Sequence, residues 1–201
     1  PGLAETARRT ARDASIVLDT RKMWPAGLAQ PKGRIPDGHR ALDGRALSEA
    51  GGGGWDRLVR AALDHPDAEL DAELVRGVVG VVDGWRWADG RPTWVSWVPS
   101  IRRARLVRSL AERIGAVVNG PVLPVVTRVT DGYPQADQGN SAHACGNVWG
   151  AFAFDAGPVP PGPGLVVDDI WASGWTMTVV AEVIAAAGRG PVYPLVLQKG
   201  R

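Results

Sequence analysis

The spacing of apolar residues acquires a regular rhythm from about Glu69 onward. In "ELVRGVVGVVDGWRWA", Leu74, Val78, Val81 and Val82 recur at helical intervals, and "PTWVSWVPS" follows as a short β-rich run closed by Pro99 and Ser100. In "IRRARLVRSLAERIGAVV", Ile101, Leu106, Leu110 and Ile114 again repeat at helical spacing with arginines between them, so this unit reads as strand, tight loop, helix. "GPVLPVVTRV" predicts the next strand. A long loop, "TDGYPQADQGNSAHACGNVWGAFAFDAGPVPPGPG", then carries one short apolar stretch, "VWGAFAF"; loops of such length in a compact domain are usually functional or disordered. After it come a strand in "GLVVDD", a helix over Thr176 to Ala187, and a strand in "VYPLVL". This alternation predicts an α/β fold with right-handed crossovers, a mainly parallel sheet flanked by helices, and a ligand site at the carboxyl ends of the strands.

Residues 1–60 lack that rhythm. They read as an irregular, Gly- and Pro-punctuated segment with a possible strand in "SIVLD" (Ser15 to Asp19) and a short helix in "RALSEA" (Arg45 to Ala50). Gly51 to Gly54 read as a hinge, because no Gly-Lys-Ser/Thr follows to make a phosphate-binding P-loop. The next residues, "WDRLVRAALD", predict an amphipathic helix with Leu58, Ala61 and Ala62 on one side. The expected division is therefore a junction over 1–60 and an α/β domain over 61–201.

Composition narrows the chemistry. A chain of 201 residues that is 45% hydrophobic can bury a real core. No apolar run approaches the roughly 18 residues of a membrane helix, and "PGLAETARRTARD" offers no apolar signal segment, so a cytoplasmic protein with no membrane partner is expected. Cys145 stands alone and His39, His65 and His143 are scattered, which removes a disulfide framework and any cysteine-based zinc site and leaves only a carboxylate-bound Mg²⁺. Net charge is +2, but no Lys or Arg occurs between Arg128 and Arg189 while arginines crowd the first half. Contact with a polyanion would belong to that half, although a solvated surface explains the same residues.

The chemistry concentrates in "LVVDDIWASGWT". Three apolar residues deliver Asp168 and Asp169 to the carboxyl edge of the sheet, and the helix that follows leaves its first N–H groups without partners inside the helix. Between them, "ASGWT" supplies backbone N–H groups, two hydroxyls (Ser173, Thr176) and Gly174, which is free to take the positive φ that curls a backbone around a phosphate. A sugar phosphate has the matching shape, with an anion at one end and a diol for the carboxylates at the other. An isolated Asp-Asp would be a turn and an N-cap; the whole pattern favours a ligand.

"LVVDDIWASGWTMT" resembles the phosphoribosyl-pyrophosphate signature of the type I phosphoribosyltransferases. The resemblance implies that fold, with Asp168 and Asp169 taking the ribose hydroxyls, and Mg²⁺ through water, and with Ala172, Ser173, Gly174, Trp175 and Thr176 wrapping the 5′-phosphate. In "WVPSIRR", Pro99, Ser100, Ile101 and Arg102 would line the family's pyrophosphate loop, while Ser100 also reads as an ordinary helix N-cap. The mobile loop of the family would correspond to about Thr130 to Asn147. More narrowly, "RKMWPAGL", "GRAL", "GWRWADGRPTWVSWVPS", "NSAHACGNVWGAF" and "SGWT" are similar to the phosphoribosyltransferase-like module at the C-terminus of bacterial RecQ-type ATP-dependent DNA helicases, related to the ComF competence proteins. The resemblance implies a setting in DNA repair and recombination, with DNA reached indirectly through the helicase motor. No Walker A sequence, DEAH-like box or RecQ zinc-site cysteines occur, so a C-terminal or excised piece is expected, with residues 1–60 as its junction to the motor.

Departures from the family shape the expected function. The loop corresponding to the mobile one has no Lys or Arg, and His143 is its sole candidate cation. Cys145 and Gly146 stand where ComF-like chains carry an arginine shortly before "N-V-x-G-A-F", position 172 is alanine, and no catalytic base can be assigned. The expectation is a module that binds phosphoribosyl pyrophosphate or a nucleoside monophosphate with Mg²⁺, its transfer activity weak or lost. The alternatives are an active transferase forming a nucleotide from a base, and a DNA- or protein-docking module without ligand binding. Trp94, Trp97, Trp171 and Trp175 flank the two loops and invite base stacking, but packing is the simpler expectation, as it is for Trp85 and Trp87. Gln135, Asn140, Ser141 and Asn147 would order the long loop or touch the ligand, with capping and turn roles equally open; Cys145 has no His-Asp arrangement to make it a nucleophile.

Overall fold

The computed structural model describes residues 15–28, 31–65, 67, 69–130 and 141–200. A five-stranded sheet in the order β1-β2-β7-β6-β3 forms its centre, built from β1 (Ile16–Leu18), β2 (Gly44–Glu49), β3 (Trp94–Trp97), β6 (Gly164–Trp171) and β7 (Val192–Lys199). Only β1 is antiparallel. The expected α/β architecture with a mainly parallel sheet between helices is what the chain adopts. Central strands explain the unbroken apolar runs: Leu165, Val166 and Val167 are each 0% exposed because both faces of the sheet are covered.

On one face lie α1 (Asp56–Leu63), α2 (Ala72–Asp83) and α3 (Ala104–Val118), whose Val59, Leu74, Val78, Leu106, Leu110 and Ile114 share a core with Leu165, Val167 and Leu195. Asp71 starts α2 by accepting the Leu74 N–H on its Oδ1 at 2.8 Å. The other face is covered by α5 (Trp175–Ala186) and by a two-stranded antiparallel sheet of β4 (Val126–Arg128) and β5 (Phe152–Phe154), with α4 (Ser141–Gly146) beside them. Trp94 lies flat across its register partner Gly164, where a Cβ would come within 2.2 Å of the ring, so only glycine fits.

Several elements differ from the pattern-based expectation. "RALSEA" is the strand β2, not a helix: its residues have good helix propensity, but pairing with β1 on one side and β7 on the other overrides it. Residues 15–60 are thus not all irregular; they give two strands to the sheet, which draws on both sides of the expected boundary at 60. The glycine tract forms a hydrogen-bonded turn between β2 and α1, with Gly51 and Gly54 at positive φ and the Gly52 N–H donating to the Glu49 carbonyl at 2.9 Å. The strand in "GPVLPVVTRV" leaves the main sheet, touching it by a single bridge from Val122 to Val95, and pairs instead with the apolar stretch inside the long loop. β6 runs two residues past the acids, to Trp171. Of the expected mobile loop, residues 131–140, Gln135 and Asn140 included, lie outside the described residues. Among the described residues no helix is long and apolar enough to cross a membrane.

Candidate functional site

A cleft of about 660 Å³ opens at the carboxyl ends of β3 and β6, a volume typical of small-molecule sites. Two loops meet there because the two strands are parallel neighbours. Val98 still donates its N–H to the Val167 carbonyl at 2.9 Å, after which Pro99, having no N–H, ends the pairing. Ser100 Oγ accepts the Arg103 N–H at 3.0 Å, closing a tight turn into α3. The turn role and the lining role coexist: Pro99, Ser100, Ile101 and Arg102 all face the cleft.

Asp168 and Asp169 line the same cleft. Strand pleating sends successive side chains to opposite faces, which explains how two carboxylates tolerate adjacent positions. Asp169 meets the α-helical face, where Arg103 Nη1 donates to its Oδ2 at 3.0 Å while Arg103 Nε donates to the Leu63 carbonyl at 2.7 Å. Asp168 is only 7% exposed. Burial first, and the neighbouring Asp169 charge second, push its carboxyl well above the usual range, opposed by the Asp169 N–H donated to its Oδ1 and by the charge of Arg128. Arg128 comes from β4 on the opposite face, with its guanidinium 4.8 Å from the Phe152 ring centre. Its Nε–H is buried without a partner among the described residues.

The predicted phosphate turn is divided. Thr176 lines the cleft, whereas Ala172, Ser173, Gly174 and Trp175 do not. Gly174 is at φ 80 with a Cβ position 2.6 Å from the Trp171 ring, so the turn requires glycine. The Ser173 carbonyl accepts two donors from Arg21, Nε at 3.0 Å and Nη2 at 2.6 Å, and the Arg21 guanidinium sits 5.0 Å from the Trp175 ring centre. Trp175, 2% exposed, stacks at 6.1 Å on Trp24, which meets Trp149 edge-on at 5.1 Å, and its Nε1–H donates to Ser141 Oγ at 3.0 Å. Three separated sequence words, "RKMWPAGL", "NSAHACGNVWGAF" and "SGWT", therefore meet beside this turn.

Sequence reasoning missed Arg128 as a cleft residue, along with Val98, Val148 and Ile170; Arg103, which with Arg102 favoured a binding role for "WVPSIRR", lines the cleft, as does Asn147, with its roles left open. The only sequence signal for Arg128 was its place at the end of a strand and the start of a long loop. The loop itself has no Lys or Arg, and the cations in the cleft come from elsewhere: Arg102, Arg103 and Arg128 line it, while the exposed His143 is not among its lining residues. The tryptophans pack, as expected, with Trp94 fully buried and Trp85 stacked on Trp87 at 4.4 Å. Cys145 is buried, and burial raises its thiol to about 11, so it is no nucleophile at neutral pH. Among the described residues no three His, Cys, Asp or Glu side chains gather as a metal site. Asp168 and Asp169 are hard oxygen donors of the kind Mg²⁺ takes, and two carboxylates fit it only where a ligand and water complete the shell.

No family model and no curated protein matches the chain. Solved structures similar to it include the adenine phosphoribosyltransferase of Leishmania tarentolae (11% identity, TM-score 0.42, covering 64% of this chain and 72% of that one). Another is that of Leishmania donovani (10%, 0.41, 64% and 66%). A third, from Trypanosoma brucei, was solved with AMP, pyrophosphate and ribose-5-phosphate (13%, 0.44, 96% and 78%).

Proposed function

We propose that this chain is a phosphoribosyltransferase-like module that binds a ribose 5-phosphate ligand, either phosphoribosyl pyrophosphate or a nucleoside monophosphate. The observation that carries the reading is the one cleft that gathers Pro99 to Arg102, the acid pair Asp168 and Asp169, and Thr176. In this reading the acids accept hydrogen bonds from the ribose hydroxyls. The Pro99–Arg102 turn, with Arg103 and Arg128, meets the negative charge of a diphosphate, and Thr176, in the first turn of α5, receives the 5′-phosphate. Mg²⁺, held by Asp168 and Asp169 through water, would supply further charge neutralisation for the phosphates. Ionised Asp168 is the form that accepts from a diol, so binding strengthens as pH rises through its elevated titration.

The wider setting rests on the sequence words alone: an accessory module of a RecQ-like DNA helicase acting in DNA repair or recombination in the cytoplasm, with DNA reached through the motor. Calorimetric titration with phosphoribosyl pyrophosphate and nucleoside monophosphates, with and without Mg²⁺, tests the binding. Asp168→Asn with Asp169→Asn should weaken it by about 100-fold, the loss of two charge-assisted hydrogen bonds. Unchanged affinity in that double variant overturns the reading.

One observation favours turnover as a second reading. The leaving pyrophosphate of a transferase needs cations, and Arg102, Arg103 and Arg128 are present in the cleft despite the bare loop. A coupled assay for pyrophosphate release with each nucleobase decides between binding alone and transfer.

A further inference from the structure

A second pocket, about 380 Å³ in volume, lies at the opposite edge of the sheet, near the starts of β2 and β7. The carboxyl-end cleft contributes no residue to it. Its charges are unbalanced: Lys22, Arg40, Arg45 and Arg86 face Asp37 and Asp43, four cations against two carboxylates, a formal excess of two positive charges.

The cations differ in how they are held. The Arg45 guanidinium carbon sits over the Trp85 ring, 5.2 Å from its centre, and Nη1 donates to the Gly44 carbonyl at 2.9 Å, which holds the fork in place. Arg40 pairs with Asp37 through Nη2, yet its Nε–H is buried and has no partner among the described residues. Arg40 thus adds its charge to the pocket wall, held there by Asp37. Lys22 and Arg86 are exposed and make no side-chain ion pair among the described residues, so their ammonium and guanidinium are available at the rim.

We infer that this pocket is an anion site, separate from the proposed ribose phosphate cleft, that takes a small phosphate monoester as its dianion. Two net positive charges match a dianion, and guanidinium forks match phosphate oxygens in geometry. A carboxylate, with one charge and two oxygens, leaves half of that complement unmet.

Proton–nitrogen NMR on the full chain carrying Asp168→Asn and Asp169→Asn tests this with the cleft acids removed, so a failure here is distinct from a failure of the cleft reading. Glycerol 3-phosphate should give saturable shifts of the Arg40 Nε–H and Trp85 Nε1–H signals, and acetate should not. Adding Lys22→Gln and Arg86→Gln should weaken the titration by about ten-fold or more without moving the melting temperature. Arg45→Gln, which removes the oriented fork, should do the same and serves as the second variant. Absence of a saturable shift, equal response to acetate, or titration of both sets of variants as strong as that of the parent chain overturns the inference.

Discussion

The two faces of the sheet treat the neighbouring acids differently. On the α-helical face, Asp169 is answered by Arg103, whose second donor is anchored on the Leu63 carbonyl, so the protein completes this pair itself. On the face of β4, β5 and α5, Asp168 is more deeply buried, its carboxyl is pushed upward, and the arginine nearest in charge has a buried Nε–H with no partner among the described residues. The ion pair holds Asp169 in place, where it still lines the cleft beside Asp168. Charges gathered but left unbonded cost stability.

The strongest way to break the open face is at its turn. Gly174→Ala forces a side chain into a left-handed backbone and against the Trp171 ring, and should cost about 2–4 kcal/mol, read as a fall of about 5–10 °C in melting temperature. The arginines sharpen the contrast next. Arg103→Gln should destabilise by about 1–3 kcal/mol in urea unfolding, because it strands a largely buried carboxylate. Arg128→Gln should cost less than about 1 kcal/mol, yet weaken ribose 5-phosphate binding by about ten-fold in calorimetry.

The smallest effect is a slope with pH. A folded-state titration of Asp168 above its ordinary value means that the native chain holds more protons than the unfolded chain between those two points, so stability falls as pH rises through that window. Asp168→Asn removes this slope and should be at least as stable as the natural chain at neutral pH, whereas Asp169→Asn, which breaks an ion pair, should be less stable. Urea midpoints measured from about pH 4 to about pH 8 check both.

Legibility followed the range of the interaction. "LVVDD" announced a central strand because burial on both faces demands an unbroken apolar run, and the acids at its end marked a candidate site because nothing local neutralises them. "RALSEA" misled because its helical propensity is intrinsic to six residues while its pairing partner, β7, lies about 150 positions away. Arg128 was unreadable for the same reason. Its place in the cleft comes from β4 leaving the main sheet to pair with β5, which no local pattern encodes. Arg21 likewise meets the Ser173 carbonyl across 152 positions.

By itself, then, the sequence determined what short-range forces decide: the helical and strand periods, the glycine that a left-handed turn needs, and the pair of acids at the end of a buried run. The tertiary structure decided which charges meet. Side-chain spacing along the chain carries no information about distances across layers, and it is there that Arg103 pairs with one acid, Arg128 stands by the other, and four cations line one pocket at the far edge.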